Sequence, residues 1–239
     1  MAISTFFPEK INVDARLSVF KASIDSLLLS KFDGQIFIID DASFYKKHLE
    51  IIPKDSRVKI IEKIENGGYS RIKNTGLQHL INTGNKKFLL ADDDVIYEDP
   101  YWFGPYLNAL ENSGIHYFTH YMYDHKETVK YNNYYVYKTA TVNGYLQAID
   151  SECIEKIGFF KILPYKIGHD HTNYVLRAIK ANLTPFYSDV INSEKLLHHT
   201  ADPATTRQGG DVPWNIQEKG NAGPAFDVDK NNLYCGSIE

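Results

Sequence analysis

Three consecutive carboxylates, Asp92, Asp93 and Asp94, stand directly after the apolar run Phe88-Leu89-Leu90-Ala91. Such a run reads as a buried strand, and acids at its carboxyl end lie where open α/β sheets bind ligands. Neighbouring carboxylates repel one another, so a divalent cation is a natural neutraliser. Mg2+ and Mn2+ favour oxygen ligands of this kind and share them with substrate phosphates. Taken alone, the triplet serves an acidic turn equally well. A second acidic pair, Asp40 and Asp41, follows the run Ile36-Phe37-Ile38-Ile39. A carboxylate there can accept a hydrogen bond from a base N–H or a ribose hydroxyl, or cap a helix. Both acidic strand ends would open on one edge of a parallel sheet. Between them lies Asn66-Gly67-Gly68-Tyr69-Ser70-Arg71. Its glycines permit a tight turn with close ligand approach. Arg71 and Lys73 follow in the first turns of the helix, where a diphosphate would meet donors. The Gly-Lys-Ser/Thr ending of a Walker phosphate loop is missing.

The elements that must position these groups alternate in the first half of the chain. Strands are expected at Ile3–Phe7, Gln35–Ile39, Val58–Ile61 and Lys87–Ala91, and helices at Arg16–Leu29 and Tyr69–Ile81. The helices show apolar residues at helical spacing, such as Leu17, Phe20, Ile24 and Leu27. That alternation predicts a mostly parallel sheet flanked by helices. In the second half, Ile115–Tyr123 and Tyr134–Val142 are aromatic and strand-like, and they are expected to pair antiparallel. Ser151–Ile157 and Thr172–Ala181 read as helices. From Ala201 onward the chain is rich in Gly, Pro, Asn and Asp. That composition suits a long loop or a lid.

The chain has 239 residues, 43% of them apolar and 23% charged, within the range of one sizeable globular domain. With 26 basic residues against 30 acidic ones the net charge is -4, which argues against a nucleic-acid partner. The two cysteines are too few for a disulfide scaffold. The opening residues lack the pattern of a signal peptide, and no apolar run approaches the length of a membrane span. These features point to a cytoplasmic protein without a transmembrane segment.

In order and spacing, Asp40-Asp41-Ala42-Ser43, Asn66-Gly67-Gly68 with Lys73-Asn74-Thr75-Gly76, and Asp92-Asp93-Asp94 resemble the nucleotide-binding half of GT-A glycosyltransferases. The likeness is to glycosyltransferase family 2 especially, and it covers about residues 3 to 100. The family's Arg before Asn is replaced here by Lys73. The resemblance implies a single GT-A, Rossmann-like domain. Residues 1–114 would bind a nucleotide-sugar, 115–200 would bind the acceptor, and 201–239 would form a tail or lid. It implies nucleoside contacts at Asp40 and Asp41, donor contacts at Asn66, Gly67, Arg71, Asp92 and Asp93, and Mn2+ or Mg2+ at Asp92 and Asp94. Val142-Asn143-Gly144-Tyr145 resembles the family's glycine-containing strand at the sugar pocket, which makes Gly144 a donor-site residue. After Ile157-Gly158-Phe159-Phe160 the family places its general base. Here that segment is Gly168-His169-Asp170-His171, where either Asp170 or His171 can accept the proton of a sugar hydroxyl. His198 and His199 fall where such enzymes carry a late histidine that joins the metal.

The implied reaction is transfer of a hexosyl group from a nucleotide-sugar, a UDP-sugar first, to a hydroxyl of a glycan acceptor, with inversion. A homodimer is compatible with this reading. Two other readings remain: an inactive sugar-nucleotide or glycan-binding module, and a nucleotidyltransferase. The second would need a glycine-rich loop after the first strand, where the sequence has Phe6-Phe7-Pro8-Glu9.

Overall fold

A computed structural model of the chain describes residues 1–9, 11–121, 126–163, 170–200, 228–229 and 231–236. In chain order its strands are β1 (Ala2–Thr5), β2 (Ile36–Asp40), β3 (Val58–Glu62), β4 (Lys87–Asp92), β5 (Val95–Tyr97), β6 (Tyr117–Thr119), β7 (Lys126–Tyr131), β8 (Tyr134–Thr139), β9 (Leu146–Asp150), β10 (Ser188–Val190) and β11 (Leu197–His199). The helices are α1 (Val13–Leu29), α2 (Lys47–Glu50), α3 (Tyr69–Ile81), α4 (Phe103–Asn112), α5 (Ser151–Ile157) and α6 (Asp170–Lys180).

Six strands form the central sheet in the order β3-β2-β1-β4-β9-β6. The pairs β3–β2, β2–β1 and β1–β4 are parallel, and β9 runs antiparallel to both β4 and β6. Successive side chains of a strand face opposite ways, so a strand apolar throughout must be covered on both sides. That is observed. Ile36, Ile38, Leu89 and Ala91 pack with α1 and α4 residues such as Leu17, Phe20, Leu27 and Tyr106. Phe37, Ile39, Phe88 and Leu90 pack on the other face with Ile72, Leu77, Cys153 and Tyr174 of α3, α5 and α6. A wholly buried side chain such as Leu27 or Ile38 contributes about 1.5–3 kcal/mol relative to exposure. The chain therefore has the expected GT-A-type α/β fold, with a mixed, mostly parallel sheet between helices.

Local chemistry sets the helix ends. Asn12 caps α1 by accepting from Ala15 N at 3.2 Å, and Asp150 caps α5 by accepting from Cys153 N at 3.0 Å. At Gly76 of α3 an added Cβ would lie 2.8 Å from the Ala2 Cβ, so this glycine lets the helix settle close onto β1. Helix α4 carries Gly104-Pro105 in its first turn. The pair reads as a breaker in sequence, but a proline there forgoes only an N–H that has no intrahelical partner.

The pairing expected between Ile115–Tyr123 and Tyr134–Val142 does not occur. β6 joins the central sheet beside β9, while β8 pairs with β7 and β10 in a separate three-stranded sheet. The cause is local. Asn132, with φ 53, helps close a two-residue turn between Tyr131 and Tyr134, and so pairs β8 with the strand just before it. Both β6 and β9 come from beyond residue 114, so the proposed donor and acceptor halves share one sheet.

Among the described residues no helix is long and apolar enough to cross a membrane. The tail from Ala201, including Trp214, lies outside the described residues apart from 228–229 and 231–236, as do Gly168 and His169. Cys235 bridges to the start of the second half: its N donates to Ile157 O at 3.0 Å, and its O accepts from Phe159 N at 2.8 Å.

Candidate functional site at the carboxyl edge of the sheet

β1, β2 and β4 run parallel, so the acids after β2 and β4 emerge on one edge. The two members of the first pair face different ways. Asp40 is turned wholly inward. Its carboxylate accepts from Ser43 N at 3.2 Å, from the Ser43 hydroxyl and from Lys46, and it meets His48 Nε2 at 3.1 Å. Burial would raise this carboxyl, but His48, Lys46 and Ser43 together hold it well below the usual carboxylate range. Asp40 thus braces the loop after β2 and is withdrawn from the cleft. Asp41 binds the glycine turn: Oδ1 accepts from Gly67 N at 3.0 Å and from Lys63 Nζ at 2.7 Å, and Oδ2 accepts from Gly68 N at 2.8 Å. Asn66 Nδ2 donates to Asp41 O at 3.3 Å. Two of the expected motifs are therefore one physical unit. The Gly67 and Gly68 amides, in the turn expected to let a ligand approach closely, are already engaged by a carboxylate, and Gly68, with φ 78, supplies the bend. Arg71 is exposed one turn along α3.

The acidic triplet diverges toward three different partners. Asp92 Oδ1 lies 3.9 Å from Lys73 Nζ. Asp93 is buried on the opposite side and is held by Arg16 Nη2 at 2.5 and 2.6 Å. Asp94 Oδ2 lies 2.7 Å from His199 Nε2. Asp93, given a donor contact by the resemblance, is thereby paired with Arg16 of α1. The histidines separate as well. β11 pairs with β5, and alternation sends His199 toward Asp94, stacked on Tyr145 at 3.9 Å, while His198 reaches Glu98 on the other face at 2.9 Å. Of the two histidines, only His199 meets the triplet.

Charge in this pocket is not balanced. Burial pushes Asp92 up to about 7; Lys73 opposes the rise, and Asp94, Asp170 and Asp93 add to it. Asp92 Oδ1 and Asp94 Oδ1 are both buried without a hydrogen-bond partner among the described residues. Unsatisfied anionic oxygens of this kind cost free energy unless a cation or donor meets them. No three metal-ligating side chains converge among the described residues. Two carboxylates that leave the remaining positions to water and phosphate are the pattern expected for Mg2+ or Mn2+. The residues present fit such an ion.

Asp170 opens α6, is 3% exposed and lies 3.1 Å from Lys73 Nζ through Oδ2. Burial would raise its carboxyl, but the Lys73 ammonium and the His171 ring, whose Nδ1 lies 3.5 Å from Oδ1, hold it well below the usual carboxylate range. Gly144 sits against the same group: a Cβ there would lie 3.1 Å from Lys73 Nζ, 3.2 Å from His171 Nδ1 and 3.7 Å from Asp92 Oδ2. The edge thus gathers Asp92, Asp94, Gly144, Asp170, His171 and His199. Sequence reasoning gave Lys73 only as a diphosphate donor beside Arg71, and it did not single out Arg16 or Tyr145. A signal existed for Lys73, because it shares the inward helical spacing i, i+3, i+4, i+7 with Gly76, Leu77 and Leu80. A lysine on an apolar stripe needs a buried partner.

The sequence matches the family described as Glycosyl transferase family 2 over residues 15–169. It is 27% identical to an uncharacterized glycosyltransferase of Acanthamoeba polyphaga mimivirus, over all of this chain and 92% of that protein. Among solved structures it resembles the mannosyltransferase PcManGT of Pyrobaculum calidifontis, in complex with GDP-Man and Mn2+, with TM-score 0.55 and 14% identity over 87% of this chain and 57% of that one. It also resembles S. aureus TarS, with TM-score 0.58 and 12% identity over 83% of this chain and 59% of that one. A further TarS structure contains UDP. The chain therefore spans under three-fifths of the solved chains it matches, and at these identities the likeness establishes the fold. The match over residues 15–169, on a GT-A fold, makes this chain a glycosyltransferase belonging to glycosyl transferase family 2.

Proposed function

We propose that the protein transfers a hexosyl group from a nucleotide-sugar, a UDP-sugar in the first instance, to a hydroxyl of a glycan acceptor with inversion. The observation that carries this reading is the gathering of Asp92, Asp94 and the ionised Asp170 at one sheet edge. Asp170 accepts the acceptor hydroxyl proton as that oxygen bonds the anomeric carbon and the nucleoside diphosphate departs from the opposite face. Asp92 and Asp94 would hold Mn2+ or Mg2+, with His199 beside Asp94. The ion supplies Lewis-acid stabilisation of the diphosphate leaving group. Asp41, through the Asn66–Gly68 turn, shapes the nucleoside end, and exposed Arg71 is available to the diphosphate. Structural relatives solved with GDP-Man and Mn2+ or with UDP support a nucleotide-sugar donor. Two unpaired cysteines, Cys153 and Cys235, suit a reducing compartment such as the cytoplasm.

The test is a luminescent assay of UDP and GDP release across a panel of UDP- and GDP-sugars with Mn2+. Release from at least one UDP-sugar is expected. Tight UDP binding with no release from any donor would favour the inactive binding module instead. The two histidines supply a finer check by calorimetry with UDP and Mn2+. His199→Ala is expected to weaken binding about tenfold, as loss of a partner to a metal carboxylate does. His198→Ala should change it by less than about twofold, as at most surface positions. Equal effects from the two would remove His199 from the site.

A further inference from the structure

Lys73 is 1% exposed, an uncommon state for a lysine, and its ammonium lies 3.1 Å from Asp170 Oδ2 and 3.9 Å from Asp92 Oδ1. It therefore stands between the carboxylate proposed to take the proton and a carboxylate proposed to hold the donor's metal. The surroundings keep it there. Gly76 lets α3 lie close to β1, and the space left by Gly144 has room for the lysine tip but not for a methyl group at an ordinary contact distance. The rings of Tyr69 and Phe160 lie 5.6 and 5.9 Å from the ammonium. A compact ammonium with three donors can serve two carboxylates at once.

We infer that Lys73 is the positioning residue of the bond-forming step: its ion pair with Oδ2 holds the Asp170 carboxylate in place to receive the acceptor's proton. This rests on the assignment of Asp170 as the base. Without the ammonium, two buried carboxylates would face each other across the pocket, and Asp170, at the first turn of α6, would swing away. Lys73 acts through Asp170.

The experiment is a double-mutant cycle on the full chain, read by nucleotide release with water as acceptor, alongside calorimetry with UDP and Mn2+. Lys73→Met is expected to lower kcat about ten- to a hundredfold, the range of a misplaced catalytic group. Its UDP–Mn2+ affinity should stay within about threefold of wild type. In the Asp170→Asn background the same change should cost less than about threefold, because the group it positions is already gone. Lys73→Arg, which keeps the charge, should restore most of the kcat, and Lys73→Gln, which removes the charge but stays polar, carries the cycle should Lys73→Met fail to fold. Losses that multiply in the double mutant would overturn the inference, as would a fall in UDP–Mn2+ affinity as large as the fall in kcat. Full activity in Asp170→Asn would instead remove the base assignment, a result distinct from additive losses.

Discussion

Asp170→Asn is expected to lower turnover at least about a hundredfold while leaving donor affinity nearly unchanged, the scale at which removal of a general base is felt. The substitution keeps the shape of the side chain and its place at the start of α6, so it separates basicity from folding. Its site is unusual for a carboxylate. Asp170 is 3% exposed yet stays ionised, because Lys73 and His171 more than offset the penalty of burial. A charged oxygen kept in the protein interior can receive a proton once an acceptor hydroxyl reaches it. Lys73 remains 3.9 Å from Asp92 in the variant, so its charge is not stranded. Stopped assays of UDP or GDP release across the donor panel, with melting curves in parallel, give the measurement. His171→Asn should cost less, since its ring adjoins Asp170 Oδ1. A dead His171→Asn beside a near-normal Asp170→Asn would move the role to the histidine.

Chelation by EDTA, or Asp94→Ala, is expected to take UDP binding in the presence of Mn2+ below calorimetric detection. Asp92 Oδ1 and Asp94 Oδ1 are buried without a hydrogen-bond partner among the described residues, and without a metal cation a diphosphate would approach two carboxylates with only Lys73 and His199 beside them. Coulomb repulsion at a few ångströms in a partly buried pocket amounts to several kcal/mol, enough to abolish millimolar or weaker binding. Asp94→Ala also leaves His199 without its 2.7 Å partner. His199→Ala, by contrast, keeps both carboxylates and should keep part of the affinity. UDP binding that is the same with and without EDTA, and in Asp94→Ala, would end the metal assignment.

Much of the scaffold is legible in the sequence because its signals are local. Apolar runs such as Ile36-Phe37-Ile38-Ile39 exceed what one-sided strands need, so they announce a sheet covered on both faces. The helical spacing of Leu17, Phe20, Ile24 and Leu27 places α1 within three residues of its observed start. Acids immediately after such runs lie at the carboxyl edge of the sheet whatever the rest of the chain does. Misreadings arose where a local cue was overridden or ignored. The turn at Asn132 redirected β8 away from β6.

The sequence by itself determined that three carboxylates stand at the end of a buried strand and that Asp170 lies just before a helix. Only the tertiary structure decided what each carboxylate meets, because the answers come from residues far apart along the chain. Arg16 neutralises Asp93 across 77 positions, and His199 reaches Asp94 across 105. Three adjacent side chains at a strand end point in different directions, and the charge each one keeps depends on which helix or strand packs on that side. Asp93 falls under α1 and is consumed by an arginine. Asp92 faces α3, where one lysine is shared with Asp170. Local sequence carries no record of such sharing, since electrostatic partnership is fixed by distance in space and by burial, both set by how the helices lie against the sheet.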